Sequence, residues 1–285
     1  MNSPPKTYAD WIESLVALRD AAESIGRDTS ARPSLPPVAE DAPVVVICSP
    51  HPDDEAIVGL LPYRLRQEGW RVVNLAMTLG SRFEEHGRRR GELECSCASL
   101  GFECRYPFED LSGGFLRASK EAQREDALAG FGAVLDDLGA TIVLAPHLAD
   151  AHPTHVSVGN FVREAIKTLN RRPQLYVESE FWATMPEPNC IVEATPLEVS
   201  ELVRALAEHE GEVRRNPYHL TLPAWMEDSA RRGTELVGGF GSSSGAPFRF
   251  ASSYLVSAID SEGELLGHRP VLWQTKTLFR SRIRV

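Results

Sequence analysis

No apolar run in this chain approaches the ~18 residues needed to cross a bilayer, which argues against a helical membrane span. The opening stretch MNSPPKTYADWIESL lacks the basic start, greasy middle and small-residue cleavage site of a secretory signal, so the cytoplasm is the expected compartment. Positive charge is in deficit: 30 Lys and Arg face 40 Asp and Glu, for a net charge of −10. That balance argues against nucleic acid or an anionic membrane as partner, and leaves only local basic patches such as Arg88, Arg89 and Arg90 for a small anion. Cysteine is scarce and lacks CxxC spacing; five residues (Cys48, Cys95, Cys97, Cys104 and Cys190) predict reduced, packed thiols rather than a disulfide frame or a zinc ribbon. Internal repeats are absent.

What remains is a globular composition, with 42% apolar residues in 285. Residues 7–25 place Trp11, Leu15, Leu18 and Ala22 at helical spacing, and a proline-rich linker, RPSLPPVAEDAP, follows. Residues 1–40 therefore read as an N-terminal helical extension and linker, and 41–285 as the main domain. From Pro43 the pattern alternates: strand 43–49, helix 54–68 ending at Gly69, strand 71–78, helix 88–100 closing at Gly101, and a short strand at 103–107. Helix 119–138, strand 141–145, helix 156–169 and an extended segment 174–183 complete the series. Continuous apolar strands of this kind are buried on both faces, so the predicted fold is α/β and Rossmann-like, a mostly parallel sheet with helices on both faces. The C-terminal third is less regular, with helices at 196–213 and 223–232, a glycine and serine loop GGFGSSSGAP read as a mobile rim, and a strand at 248–258.

Two segments, SPHPDDE (49–55) and HPTH (152–155), each follow a predicted strand and precede a predicted helix. Both then lie at the carboxyl edge of the sheet, where open α/β folds bind ligands. Three adjacent carboxylates on a partly desolvated turn repel one another unless something neutralises them, and a cation is the obvious candidate. Zinc takes imidazole nitrogen and carboxylate oxygen, and a catalytic site leaves one position for water. His51 with Asp54 at i+3 supplies two ligands, and His155, at the start of the next helix, is the better third. Asp53 cannot point along the same vector as Asp54, which frees it to act as general base. Glu55 suits the helix dipole or nearby backbone, and His152 is placed to stabilise an oxyanion or protonate a leaving amine. Taken singly, each motif is equally well read as helix-capping acids or solvated imidazoles; their joint placement favours chemistry. Where a dinucleotide fold needs G-x-G-x-x-G, this chain has acids that repel a pyrophosphate.

These two motifs resemble the PIG-L / LmbE-like family of zinc-dependent N-deacetylases, whose hallmark is a PHPDDE-type loop followed much later by HPDH. The segment RRGELECSCASLG is similar to the family's Arg-x-x-Glu followed by Leu-Gly, here Arg89, Glu92, Leu100 and Gly101. The resemblance implies a Rossmann-like fold and zinc held by His51, Asp54 and His155, with another divalent metal accepting the same ligands. It further implies Asp53 as base, His152 as electrostatic or acid partner, and hydrolysis of an N-acetyl group on an amino-sugar-containing small molecule. Thr154 departs from the family, which has aspartate there; without that charge His152 is expected to be less often protonated, and Asp150 is the available substitute.

Arg82 and Asp150 are the candidate substrate-binding residues. His209 reads as a structural histidine, and Trp182, Trp225 and Tyr254 as either a sugar platform or core. The expected activity is hydrolytic N-deacetylation. The alternatives are an amidase acting on a non-sugar or thiol-conjugate amide, and a metal-retaining binding protein without turnover.

Overall fold

In the computed structural model, which describes residues 5–26, 28–117, 121–237, 248–267 and 271–273, the apolar run after Pro43 is strand β1 (Val44–Ser49), buried along its whole length. Its side chains alternate between two cores. Val45 and Ile47 enter one, and Val44, Val46 and Cys48 the other. This is why the run reads as continuously apolar rather than alternating.

β2 (Arg71–Ala76), β3 (Glu103–Arg105), β4 (Ala140–Pro146) and β5 (Leu175–Ser179) join β1 in parallel, in the order β3-β2-β1-β4-β5. The sheet continues through β7 (Phe250–Ile259), antiparallel to both β5 and β6 (Cys190–Ala194), and ends at β9 (Val271–Trp273). β8 (Leu265–Gly267) pairs with β7 off this path. The first core is closed by α2 (Asp54–Ile57), α3 (Leu60–Gln67), α4 (His86–Leu100), α7 (Pro196–Ala207) and α9 (Tyr218–Leu236). The second is closed by α5 (Glu121–Leu138) and α6 (Pro153–Thr168), around Phe131 and Phe161. Each such fully buried large side chain contributes about 1.5–3 kcal/mol. The predicted Rossmann-like, mostly parallel fold is the fold observed.

Several boundaries differ from the sequence reading. The helix expected over 54–68 is two helices, because the chain turns at Val58 and Gly59. A Cβ at Gly59 would stand 2.5 Å from the Glu55 carbonyl oxygen and 3.1 Å from Leu202. Buried Tyr254 pins the break: its hydroxyl donates to the Val58 carbonyl and accepts from the Leu61 amide, each at 3.0 Å. Of the two readings of Tyr254, core is the one observed. The helix expected over 196–213 is likewise interrupted at Glu208 and His209, before α8 (Glu210–Arg215). The helix read as 223–232 begins at Tyr218, since Pro223 lies inside it rather than at its first turn. The extended segment 174–183 contracts to β5, and β6 was not anticipated.

α1 (Tyr8–Ala22) starts at a capping box between Thr7 and Asp10 and buries none of its residues. The linker after it lies on the domain: Leu35 packs on the first core, and Arg66 donates to the Pro36 carbonyl at 2.7 Å. All five cysteines are free thiols, with Cys48, Cys97 and Cys190 buried. The loop GGFGSSSGAP, at 238–247, lies outside the described residues. Among the described residues no helix is long and apolar enough to cross a membrane.

Candidate metal centre and active site

β1 and β4 are neighbours, and between them the strand order reverses direction. Such a switch point opens a crevice at the carboxyl ends of the strands. The loop after β1 carries His51, Asp53 and Asp54 to one side of it, and the loop after β4 carries His152 and His155 to the other. About a hundred residues apart in sequence, the two motifs meet.

Their ligand atoms form a small triangle. His51 Nδ1 is 3.2 Å from His155 Nε2 and 3.5 Å from Asp54 Oδ2, while His155 Nε2 is 3.4 Å from that same oxygen. Ligands about 2.0–2.1 Å from a tetrahedral zinc are separated by roughly 3.3–3.4 Å, so these three atoms have the spacing of one face of such a site. The three imidazoles also bring a nitrogen each within 4.8 Å of one another. The edges through Asp54 are tighter, and the donor set of two imidazoles and one carboxylate fits a divalent ion with an open position, leaving His152 beside it.

The surroundings orient these side chains. Asp150 Oδ2 lies 3.7 Å from His155 Nδ1, both side chains being fully buried, so a carboxylate backs this imidazole on the side away from the triangle although the two are beyond hydrogen-bond distance. Burial works against a charged His155, but Asp54 and Asp150 outweigh it and raise its pKa. Burial likewise pushes Asp54 upward, yet His155 and His51 hold its carboxyl below the ordinary range. The Asp54 carboxylate also accepts the His51 backbone N–H at 2.8 Å, which ties the loop to that side chain.

Asp53 is the one non-glycine residue with positive φ among those described, at 109°. Strain of this kind persists only where the surroundings enforce it. Here Glu55 does so: its Oε2 accepts the Asp53 N–H at 3.0 Å. Its Oε1 is held by the Ser96 hydroxyl and by His209 Nε2 at 2.8 Å. Glu55 and His209 are fully buried. Glu55 thus bonds nearby backbone as its position suggested, while its links to α4 and to the α7–α8 break had no signal in the sequence. His209, a structural histidine by the sequence reading, holds the acid that holds Asp53. Burial, then the Asp54 and Glu55 carboxylates, push the Asp53 carboxyl well above the usual range, with Arg89 opposing.

His152 is the N-cap of α6, and its Nδ1 accepts the Thr154 N–H at 3.2 Å, which puts the ring proton on Nε2. Burial, then His51 and His155, pull its pKa below the ordinary imidazole value. Asp150 does not bond this ring; it accepts the His152 backbone N–H at 2.7 Å and the Trp182 N–H at 3.1 Å. Read from the sequence as a substrate residue, Asp150 sits behind the cluster, its side chain fully buried and its contacts all with the protein.

In front of the triangle lies a cavity of about 400 Å³, lined among others by Asp53, His152, Thr154, Ser81, Ser112 and Tyr218. Arg82 stands on its rim with a 69% exposed side chain, 3.5 Å from Glu85. Arg89, given less weight in the sequence, is the more firmly built of the two. It donates to the Leu79 carbonyl at 2.9 Å and pairs with Glu212 at 3.2 Å. Glu212 and Tyr218, also on this wall, come from the C-terminal third, where no motif announced them.

A doubly wound sheet with a His-Asp-His cluster at its switch point is an α/β arrangement whose side chains could hold one divalent ion. Residues 46–166 match the model of the family described as PIG-L: GlcNAc-PI de-N-acetylase. Three solved structures are similar in fold. The N,N'-diacetylchitobiose deacetylase from Pyrococcus horikoshii is 18% identical, covered over 90% of this chain and 95% of its own, with a TM-score of 0.56. GalB, the 4-carboxy-2-hydroxymuconate hydratase from Pseudomonas putida, is 14% identical, with coverage of 75% and 95% and a TM-score of 0.57. The zinc-inhibited form of teicoplanin deacetylase Orf2 is 13% identical, with coverage of 76% and 99% and a TM-score of 0.53. No curated protein matches the chain.

Proposed function

We propose that the protein is a metal-dependent hydrolase that removes an acetyl group, or another acyl group, from the nitrogen of an amino-sugar-containing small molecule. The observation that carries this reading is the triangle of His51 Nδ1, Asp54 Oδ2 and His155 Nε2, flanked by a buried carboxyl and an imidazole that are not part of it. Its neighbours in fold include both deacetylases and a hydratase, so fold alone does not choose the reaction. The choice rests on the motif pair and on the family match over 46–166.

His51, Asp54 and His155 would hold the divalent ion, which would supply Lewis acidity and favour ionisation of water near neutral pH. The remaining work belongs to the chain. Asp53, on the cavity wall with its carboxyl pushed upward by burial, takes a proton from the attacking water and returns it to the departing nitrogen. His152, with Nδ1 occupied by Thr154, offers its Nε2–H to the oxygen that gains negative charge. The C–N bond breaks, the water oxygen stays on carbon, and acetate and a free amine leave. Ser81 and Thr154 on the cavity wall, with Arg82 at the rim, suit a polyhydroxylated substrate.

The test is acetate and amine release from a panel of N-acetylated sugars and non-sugar amides, by purified protein supplied in turn with zinc and other divalent ions. Turnover confined to non-sugar amides would favour the amidase alternative. Hydration of an alkene acid without amide cleavage would contradict the proposal.

A further inference from the structure

A second cavity of about 190 Å³ adjoins the first, and Ile57 and Trp182 line both. Aromatic rings run from one to the other. Trp182 lies 6.4 Å from the His152 ring and nearly parallel to it, Tyr218 stands 5.5 Å from Trp182, and Trp225 is 6.1 Å beyond Tyr218. Both tryptophans are open to solvent, at 50% for Trp182 and 37% for Trp225. The Trp182 backbone is nonetheless fixed by Asp150, the carboxylate that also faces His155. A large ring with an anchored backbone and an uncovered face is a platform rather than a core residue.

The chemistry of the second cavity narrows what it takes. On its wall Arg232 is bonded to Glu180 at 2.7 and 3.0 Å and to Asp228 at 2.6 Å, while Arg231 bonds Asp228 from outside. Two arginines and two carboxylates cancel, so nothing there calls for an ionic ligand. Ser179 and Ser253, residues only 1% and 3% exposed, also line the cavity, and their buried hydroxyls have no hydrogen-bond partner. A buried hydroxyl left unpaired costs stability, which a ligand bearing hydroxyls recovers where it reaches that hydroxyl.

We propose that this cavity is a subsite for a neutral hydroxylated ring, a second sugar unit joined to the one whose acyl group reaches the histidine cluster. The pairing of the two cavities rests on the deacetylase reading; binding in the second does not. Calorimetric titration of the full chain carrying Asp53→Asn, which blocks turnover while keeping the ligand set, compares N-acetylglucosamine with its β-linked dimer. The dimer is expected to bind about tenfold more tightly, the equivalent of about 1.4 kcal/mol. Trp225→Ala, added to that chain, should erase the gain without changing the affinity for the single sugar, and Trp225→Phe should restore it. Ser253→Ala should reduce the dimer's affinity several-fold and leave the single sugar unchanged, which covers the case of a misfolded tryptophan variant. Equal affinities for the two sugars, no binding of either, or a gain that survives both Trp225→Ala and Ser253→Ala overturns the proposal and leaves the cavity to ordered water.

Acetate release by the unaltered protein separates the two claims. A chain that gains affinity through Trp225 but releases no acetate refutes the deacetylase reading alone. One that releases acetate but binds both sugars equally refutes the subsite alone.

Discussion

From β3 to β5 every pair of neighbouring strands is parallel, whereas β7 runs antiparallel to both β5 and β6. The parallel half ends its strands in loops bearing His51, Asp53, Asp54, His152 and His155. The antiparallel side, with α8 and α9, brings Glu212 and Tyr218 to the same crevice and Trp225 to the cavity beside it. The family match lies wholly within the first region and stops at residue 166. On the proposed function, the reacting groups belong to the parallel half, where the switch point fixes their geometry, while the antiparallel side adds a wall that shapes what binds beside them.

Substitutions on either side of this division test it. The largest effect is expected for Asp53→Asn: turnover falls by about 10²–10⁴-fold for every substrate, while metal content stays that of the unaltered protein. Steady-state kinetics beside elemental analysis measures both, and a loss confined to one substrate would blur the division. Next comes Asp150→Asn, which removes the charge behind His155 and should weaken metal affinity by roughly 10–100-fold, seen by competition with a chelator. A pure effect on KM with unchanged metal affinity would return Asp150 to the substrate side, where the sequence reading put it.

The smallest effect belongs to the antiparallel side. Burial pushes the Asp228 carboxyl up, but Arg232 and Arg231 overcome this and hold it below its ordinary value. A carboxyl depressed by folding adds stability above its unfolded pKa of about 3.9, and that stability disappears as pH falls through the folded value. Asp228→Asn should therefore be less stable than the parent at pH 7, with the difference vanishing in strong acid, as followed by denaturant melts. Catalysis of a single-sugar substrate should not change.

Legibility followed the same division. The SPHPDDE and HPTH loops were readable because their functional groups lie within a few residues of one another, at ends of strands that the apolar pattern had already marked. Their convergence was readable too, since a parallel sheet brings successive strand ends to one edge. What escaped detection depends on contacts distant in sequence. The break at Gly59 is held by Tyr254, and the strained backbone of Asp53 by Glu55 and His209, 154 positions further along the chain than Glu55. β6 is five residues long and follows a proline-rich stretch, so its strand character depends on β7 rather than on its own pattern. α6 begins three residues earlier than read, because Pro153 occupies the first helical turn, where its missing N–H costs nothing.

The central claim is that loops after β1 and β4 jointly hold one divalent ion. Elemental analysis of the purified full chain, beside the His155→Ala chain with its fold verified by circular dichroism, tests this most directly. One equivalent of a divalent metal in the parent and a negligible amount in the variant is the expected result. A parent that takes up no metal under saturating zinc, manganese or cobalt, or a variant that retains a full equivalent, would contradict it.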